Sequence, residues 1–159
     1  MTELLIYQLQ RQGLERVLPG LLERSLERGW RVIVQAASEE RLEALDAQLW
    51  TFREDSFLPH GTWRELEASE QPVLLTLDGN NPNAAQVRFL IDGAPMPANA
   101  EDYHRIVLLV DGEDPDALAA ALAHQNEGKA KGFDVTYWRP DEEGRWRRLG
   151  ERSDVRGAD

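Results

Sequence analysis

Few residues of this 159-residue chain are suited to chemistry at a catalytic or metal centre. The chain has no cysteine, which excludes thiolate metal sites and disulfides. Its three histidines, His60, His104 and His124, are too far apart in sequence to form a metal-ligand motif. No serine lies in a G-x-S-x-G elbow. The sequence therefore predicts no catalytic residue, no metal and no cofactor.

Four carboxylates, on Asp111, Glu113, Asp114 and Asp116, follow an apolar run and suggest a calcium loop at first sight. The spacing of oxygen ligands and the glycine that such a loop needs are out of register here. An acidic helix start explains the same residues, because carboxylates are stabilised at the positive end of a helix dipole. We interpret them as a helix N-terminus.

The first strand-to-helix turn, QLQRQGLER, is where a nucleotide-binding α/β protein carries its phosphate loop. It has one glycine, Gly13, and neither G-x-G-x-x-G nor G-x-x-x-x-G-K-[ST] occurs in the chain. Nucleotide binding is thus disfavoured. A small-molecule or nucleotide-binding α/β protein, or an enzyme, that uses the open end of its sheet remains the alternative function. A ligand-sized apolar cleft with converging polar groups would favour that alternative.

Aromatic residues are dense just before and within an irregular segment at 51–63, which Pro59 and Gly61 interrupt. The aromatic residues are Trp50, Phe52, Phe57 and Trp63. They either fill the core beneath a loop or form an exposed anchor patch, since aromatic side chains are enriched where protein partners bind. Both interpretations stay open at this point.

The chain carries 29 acidic and 18 basic residues, for a formal net charge of −11. Such a charge repels nucleic acid on average, although Arg145, Arg147 and Arg148 form a small basic patch. A role at DNA is therefore expected to involve a protein partner. The N-terminus does not have the pattern of a signal peptide, and no apolar run approaches the ~18 residues of a membrane span, so a cytoplasmic location is expected.

Apolar runs predict buried strands at 4–9, 31–36, 71–77, 85–91 and 104–110. Helical spacing of apolar residues over 14–28 predicts a helix, with a kink at Pro19 or a start near residue 17. Further helices are predicted after Ser38 and Asp114, which we interpret as N-caps. The turn formers DGNNPN predict that 71–77 and 85–91 are joined by a turn, and 133–138 is expected to pair with 145–149.

These elements predict a Rossmann-like three-layer α/β sandwich with a mixed, partly parallel sheet, because a strand–helix–strand unit makes a right-handed crossover. The later strand–turn–strand units are expected to add antiparallel edges. We expect one domain over residues 1–150 and a disordered tail over 151–159.

Several runs resemble the chi subunit family of bacterial DNA polymerase III. They are LERVLPGLLERSLERGWRVIVQ (14–35), LDAQLWTFREDSFLPHG (45–61), QPVLLT (71–76), NPNAA (81–85) and FDVTYW with GRW (133–146). The most specific piece is LW followed by S-F-L-P-H-G. The resemblance implies a non-catalytic accessory subunit, an adaptor that links the clamp loader to single-stranded-DNA-binding protein during replication.

The resemblance also implies two binding surfaces. A psi-like subunit, or in some bacteria a helicase, would bind around Trp50 and Phe57, with Pro59 and His60 shaping the adjoining turn. The acidic, Phe-ending tail of single-stranded-DNA-binding protein would bind elsewhere, between the strand that ends at residue 110 and the helix that follows.

Four residues are expected to receive that tail: Val110, Leu122, Lys129 and Lys131. Val110 and Leu122 would form the apolar wall, and Lys129 would supply the cation. Leu122 and Gln125 stand where the family usually has an arginine and an aromatic residue. We therefore expect tail binding to be weak and sensitive to salt.

Overall fold

The computed structural model describes residues 2–9, 13–51, 60–62, 67–143 and 145–149. Along these ranges the elements are β1 (Glu3–Leu9), α1 (Leu14–Glu27), β2 (Val32–Gln35), α2 (Glu39–Thr51), β3 (Gly61–Thr62), β4 (Val73–Thr76), β5 (Val87–Leu90), β6 (Arg105–Asp111), α3 (Pro115–Ala130), β7 (Asp134–Pro140) and β8 (Trp146–Leu149). The expected tail, 151–159, lies outside the described residues.

The strands form one sheet in the order β3-β4-β2-β5-β6-β1-β7-β8. Neighbouring strands are parallel except for β7 and β8, which are antiparallel. Helices α1 and α2 pack on one face and α3 packs on the other, each with its own apolar core. The predicted Rossmann-like α/β sandwich with a mixed sheet is therefore confirmed.

The central strands are apolar on both faces because both faces are covered. In β2, Val32 and Val34 belong to the core beneath α1 and α2, whereas Ile33 belongs to the core on the α3 face. All four residues of β2, β4 and β5 are buried. Continuous apolar runs are the pattern expected of parallel strands in this position.

Both predicted N-caps are confirmed. The Ser38 hydroxyl accepts a hydrogen bond of 3.2 Å from the Arg41 amide, and the Asp114 carboxylate accepts one of 3.0 Å from the Asp116 amide. Pro115 occupies the start of α3, where its missing N–H is not needed. No helix in the described ranges is long and apolar enough to cross a membrane.

Helix α1 was predicted over 14–28, and of its two alternatives the start near residue 17 is wrong. It begins at Leu14, not near residue 17, and it continues through Pro19. Buried side chains on both sides of the proline, Leu18 and Leu22, anchor this face of the helix in the core. Tertiary packing thus outweighs the loss of one helical hydrogen bond at the proline.

The expectation that β4 and β5 are antiparallel neighbours joined by a turn is wrong. They lie on opposite sides of β2, and both run parallel to it. Residues 77–86 are therefore a crossover without an α-helix, and residues 91–104 form a second one between β5 and β6. Arg88 on β5 bonds to groups in both crossovers. The expected antiparallel pair at β7 and β8 is confirmed.

Candidate functional site

A cleft of about 670 Å³ opens at the carboxyl ends of β1, β5 and β6, between the first turns of α1 and α3. This is the edge where open α/β sheets bind ligands. Aliphatic side chains line its floor: Leu9, Leu14, Leu90, Ala94, Leu108, Leu109, Val110, Ala117, Ala120 and Ala121. Most are buried core residues, so the floor is continuous with the two hydrophobic cores.

Gly112 holds the rim of this cleft against β1. Its amide donates a hydrogen bond of 2.7 Å to the Leu9 carbonyl. A Cβ atom at this position would lie 2.5 Å from that carbonyl oxygen, closer than a real Cβ approaches backbone. Only glycine lets the β6–α3 connection lie this close to the end of β1.

Carboxylates dominate the rim. They belong to Asp92 after β5, Asp111 and Glu113 after β6, and Asp114 and Asp116 at the start of α3. Within the described ranges, two other titratable residues line the cleft, Arg41 and His124. Arg41 is paired with Asp92, because its Nε lies 2.7 Å from the Asp92 Oδ2. The rim is strongly negative.

This arrangement bears on the alternative of a nucleotide-binding protein. The cleft has the size and place that such a protein would need, but its rim would repel phosphate. At α3 the helix N-terminus already receives the Asp114 carboxylate. No trio of histidine and carboxylate side chains that could hold a metal ion to offset this charge occurs in the described part of the chain.

The residues expected to bind a psi-like subunit or helicase lie at the end of α2 and beyond it. Trp50 is in the last turn of the helix, whereas Phe57 and Pro59 lie outside the described residues. His60 is buried, and its Nε2 lies 3.0 Å from Oδ1 of Asp46, one helical turn before Trp50. The chain thus returns to α2 close to the position of Trp50.

The four residues expected to receive an acidic tail are spread along α3. Val110 is buried and lines the cleft beside the first turns of the helix. Leu122 is 55% exposed and is not part of the cleft lining. Lys129 is exposed in the last turn and Lys131 follows as the C-cap, roughly 20 Å along the helix axis from its start. The structure therefore does not bring Val110 and the lysines together.

Leu122 and Lys129 do share one face of α3. They are seven residues apart, which is two helical turns or roughly 10 Å. Both side chains are exposed. Among the residues that the structure describes, Leu122 is the one large apolar residue that is exposed. An apolar anchor with a cation two turns away is a feature suited to a partner that carries an apolar residue and carboxylates.

Sequence reasoning missed Asp92 and Arg41 as part of the cleft. The signal was available in the topology, since the residues that follow neighbouring parallel strands meet at one edge of the sheet. Because 85–91 was expected to pair with 71–77 in antiparallel fashion, the residues after β5 were not placed beside those after β1 and β6.

Comparison with known families decides what kind of protein this is. Residues 1–136 match the model of the family described as "DNA polymerase III chi subunit, HolC". The chain belongs to the DNA polymerase III chi subunit family. The match spans the cleft, the end of α2 and all of α3, and it stops within β7, so the rest of the β7–β8 hairpin lies beyond it.

Two curated relatives agree with this membership of the chi family. The chain is 25% identical over 117 residues to the probable DNA polymerase III subunit chi of Rickettsia prowazekii (strain Madrid E), covering 70% of this chain and 71% of the relative. It is 31% identical over 101 residues to the DNA polymerase III subunit chi of Pseudomonas aeruginosa (strain PAO1), covering 64% of this chain and 68% of the relative. The chi-family chain is thus a subunit of DNA polymerase III, with a role in DNA replication.

Proposed function

We propose that this chi-family chain is a non-catalytic adaptor that joins two protein partners of the replication machinery through two separate surfaces. One surface, at the end of α2, binds a psi-like subunit or a helicase and so links the chain to the clamp loader. The other, on the exposed face of α3, binds the acidic C-terminal tail of single-stranded-DNA-binding protein. No cofactor takes part in either contact.

The observation that carries the proposal, beyond the family itself, is the exposure of Leu122 beside Lys129. Leu122 is more than half exposed and belongs to neither hydrophobic core, so it offers an apolar contact to a partner. Lys129 adds a cation for a carboxylate, as a point charge without the forked geometry of arginine. Lys131, at the C-cap, adds positive charge at the same end of the helix.

Tail binding is tested by titrating a labelled acidic, Phe-ending peptide against the protein. We expect a dissociation constant of tens of micromolar or weaker, about −6 kcal/mol, that weakens further as salt is raised. Lys129→Glu should abolish binding, because it removes the cation and repels the peptide. Leu122→Ser should weaken binding and leave the salt dependence in place.

Arg139→Glu is the matched control for Lys129→Glu, since it makes the same change of charge at an exposed position on β7. It should bind the peptide about as wild type does. Tight binding that is insensitive to salt and to Lys129→Glu would show that the tail binds elsewhere on the chain.

The α2 surface is tested by pull-down from the source cell with Trp50→Ala, Phe57→Ala and the double variant. Truncating an aromatic residue at the centre of an interface typically costs about 2 kcal/mol, which corresponds to roughly a thirtyfold loss of affinity. We expect clamp-loader proteins to be lost from the double variant while its circular dichroism spectrum matches wild type. Recovery of the same partners at wild-type levels would contradict this assignment.

A further inference from the structure

The cleft at the carboxyl ends of β1, β5 and β6 is separate from both surfaces of the proposed adaptor. His60, Leu122 and Lys129 are all described by the structure, and none of them lines it. The cleft is built from parts of the fold itself. Its floor consists of buried core residues, and the close approach of Gly112 to Leu9 holds its rim in place.

The sign of the rim charge decides what the cleft can bind. Among the described residues that line it, five carry carboxylates, and the charge of Arg41 is already engaged by Asp92. The N-termini of α1 and α3 oppose the carboxylates, but each contributes only about half a positive charge. The carboxylates therefore prevail, and an anion would be repelled.

The aliphatic floor of the cleft determines which apolar part a ligand needs in addition to its charge. Carboxylates on an open surface would only be solvated, whereas here they surround a cavity whose floor is leucine, valine and alanine. A ligand that fills this space must place an apolar stem on the floor and a positive group at the rim. Lysine and arginine side chains have this build, since an aliphatic stem carries the charged head.

We propose that the cleft is a receptor for a basic peptide segment of a partner protein, which inserts a lysine or arginine stem over Leu9 and Val110 and places its cation among Asp111, Glu113 and Asp116. Asp114 contributes less because its carboxylate caps α3. A volume of about 670 Å³ admits a few side chains, so the recognised segment is short.

The test uses two labelled tetrapeptides, acetyl-Leu-Lys-Leu-Lys-amide and acetyl-Leu-Glu-Leu-Glu-amide, titrated against the whole chain. The lysine peptide should bind, more weakly as salt rises, and the glutamate peptide should not. Hexylammonium ion at the same concentration serves as a further arm. If it binds as tightly as the lysine peptide, the cleft recognises small amines and the proposal of a peptide receptor is wrong.

The variant Asp111→Asn/Glu113→Gln removes two rim charges, and asparagine can still accept the bond that Asp111 receives from the Glu113 amide. It should weaken lysine-peptide binding by about tenfold to thirtyfold, since each of the two unit charges removed is worth about fivefold at ~4 Å in water. The matched control Glu142→Gln/Glu143→Gln makes the same change of charge in the β7–β8 turn and should change the affinity less than twofold.

The position of the peptide is checked by nuclear magnetic resonance. Signals of Leu9, Val110 and Ala121 should shift on titration, while those of Leu122 and Trp146 should not. If the cleft variant and the control lose the same affinity for the lysine peptide, binding depends only on the net charge of the chain, and the proposal is wrong. Preference for the glutamate peptide would overturn it as well. The adaptor role is tested by other variants and stands or falls separately.

Discussion

Arg88 is a fully buried cation whose partners are all neutral among the bonds that the structure describes. Its guanidinium donates to the Gln35 side-chain oxygen from both Nε and Nη2, to the carbonyls of Asp78 and Asn80, and to the Tyr103 hydroxyl. Burial raises the pKa of Tyr103, although the Arg88 charge opposes that rise, so the hydroxyl is neutral at physiological pH. Arg88 thereby ties both helix-free crossovers to the sheet.

Replacing Arg88 by methionine should cost about 3 kcal/mol or more of the free energy of unfolding. Methionine leaves the buried side-chain oxygen of Gln35 without its donor, and such a group costs about 1–3 kcal/mol. It also removes the donors to the part-buried carbonyls of Asp78 and Asn80, which adds a smaller loss. Arg88→Lys should also destabilise, because one ammonium cannot reach all these acceptors. Urea unfolding followed by tryptophan fluorescence measures both variants.

Arg139→Met is the control for this loss, because Arg139 is exposed and should change stability by no more than about 0.5 kcal/mol. A loss below 1 kcal/mol for Arg88→Met would mean that the crossovers hold their places without the guanidinium.

The β7–β8 hairpin depends on one carboxylate in its turn. Asp141 accepts hydrogen bonds from the amides of Arg145 and Glu143 through Oδ1, and its Oδ2 lies 2.9 Å from the Arg147 Nε. The backbone hydrogen bond from Arg145, followed by the Arg147 side chain, holds the pKa of Asp141 below its ordinary value of 3.8. The ionised carboxylate therefore stabilises the hairpin.

The lowered pKa of Asp141 determines how the stability of the hairpin depends on pH. A carboxyl with a lowered pKa stabilises fully above the pKa of the unfolded chain, and the effect is lost as pH falls through the lower pKa of the folded state. We expect the indole signal of Trp146 on β8 to move toward its unfolded position below about pH 4. Asp141→Ala should show the moved signal already at pH 7, because it removes both accepted amide bonds and the contact with Arg147, and Glu142→Ala should not. An indole signal in Asp141→Ala that matches wild type at pH 7 would contradict the role given to this carboxylate.

Among the secondary-structure elements, the helix starts were predicted correctly from short sequence patterns. Ser38 and the Asp114-Pro115 pair mark helix starts, because caps act within one turn. The sequence prediction paired β4 with β5 because the turn formers between them indicate a hairpin. In the structure both strands are buried, and each pairs with β2. Continuous apolar runs of this kind indicate parallel strands, and that signal outweighs the turn.

In the candidate sites too, features that depend on tertiary packing could not be predicted from local sequence patterns. The sequence placed His60 near Trp50 only through a family resemblance, since no pattern within the chain predicts that His60 contacts Asp46 fourteen positions earlier. Leu122 was likewise assigned to a binding surface only through the family resemblance. Apolar spacing in α3 suggests a buried position, but its buried face is formed by alanine and glycine at 121 and 128, which lets the helix lie close to β1.

Over the whole molecule, charge sets the relation to nucleic acid. The net charge of −11 makes the average surface repel phosphates. The basic patch on the β7–β8 hairpin does not reverse this, because Arg145 and Arg147 both lie within 3.5 Å of the Asp141 carboxylate. We therefore expect any association of this chain with DNA to depend on protein partners.

We expect the purified chain to bind a labelled single-stranded oligonucleotide only weakly at physiological salt, with no submicromolar affinity in fluorescence anisotropy. The reason is electrostatic, so removing nearby negative charge should improve binding. The triple variant Asp141→Asn/Glu142→Gln/Glu143→Gln carries three fewer negative charges and releases Arg145 and Arg147 from Asp141. It should bind several-fold more tightly than wild type, with a steeper dependence on salt. The cleft variant Asp111→Asn/Glu113→Gln should gain less, because no arginine is released there. Submicromolar binding by the unmodified chain would show that a strong nucleic-acid surface exists despite the net charge.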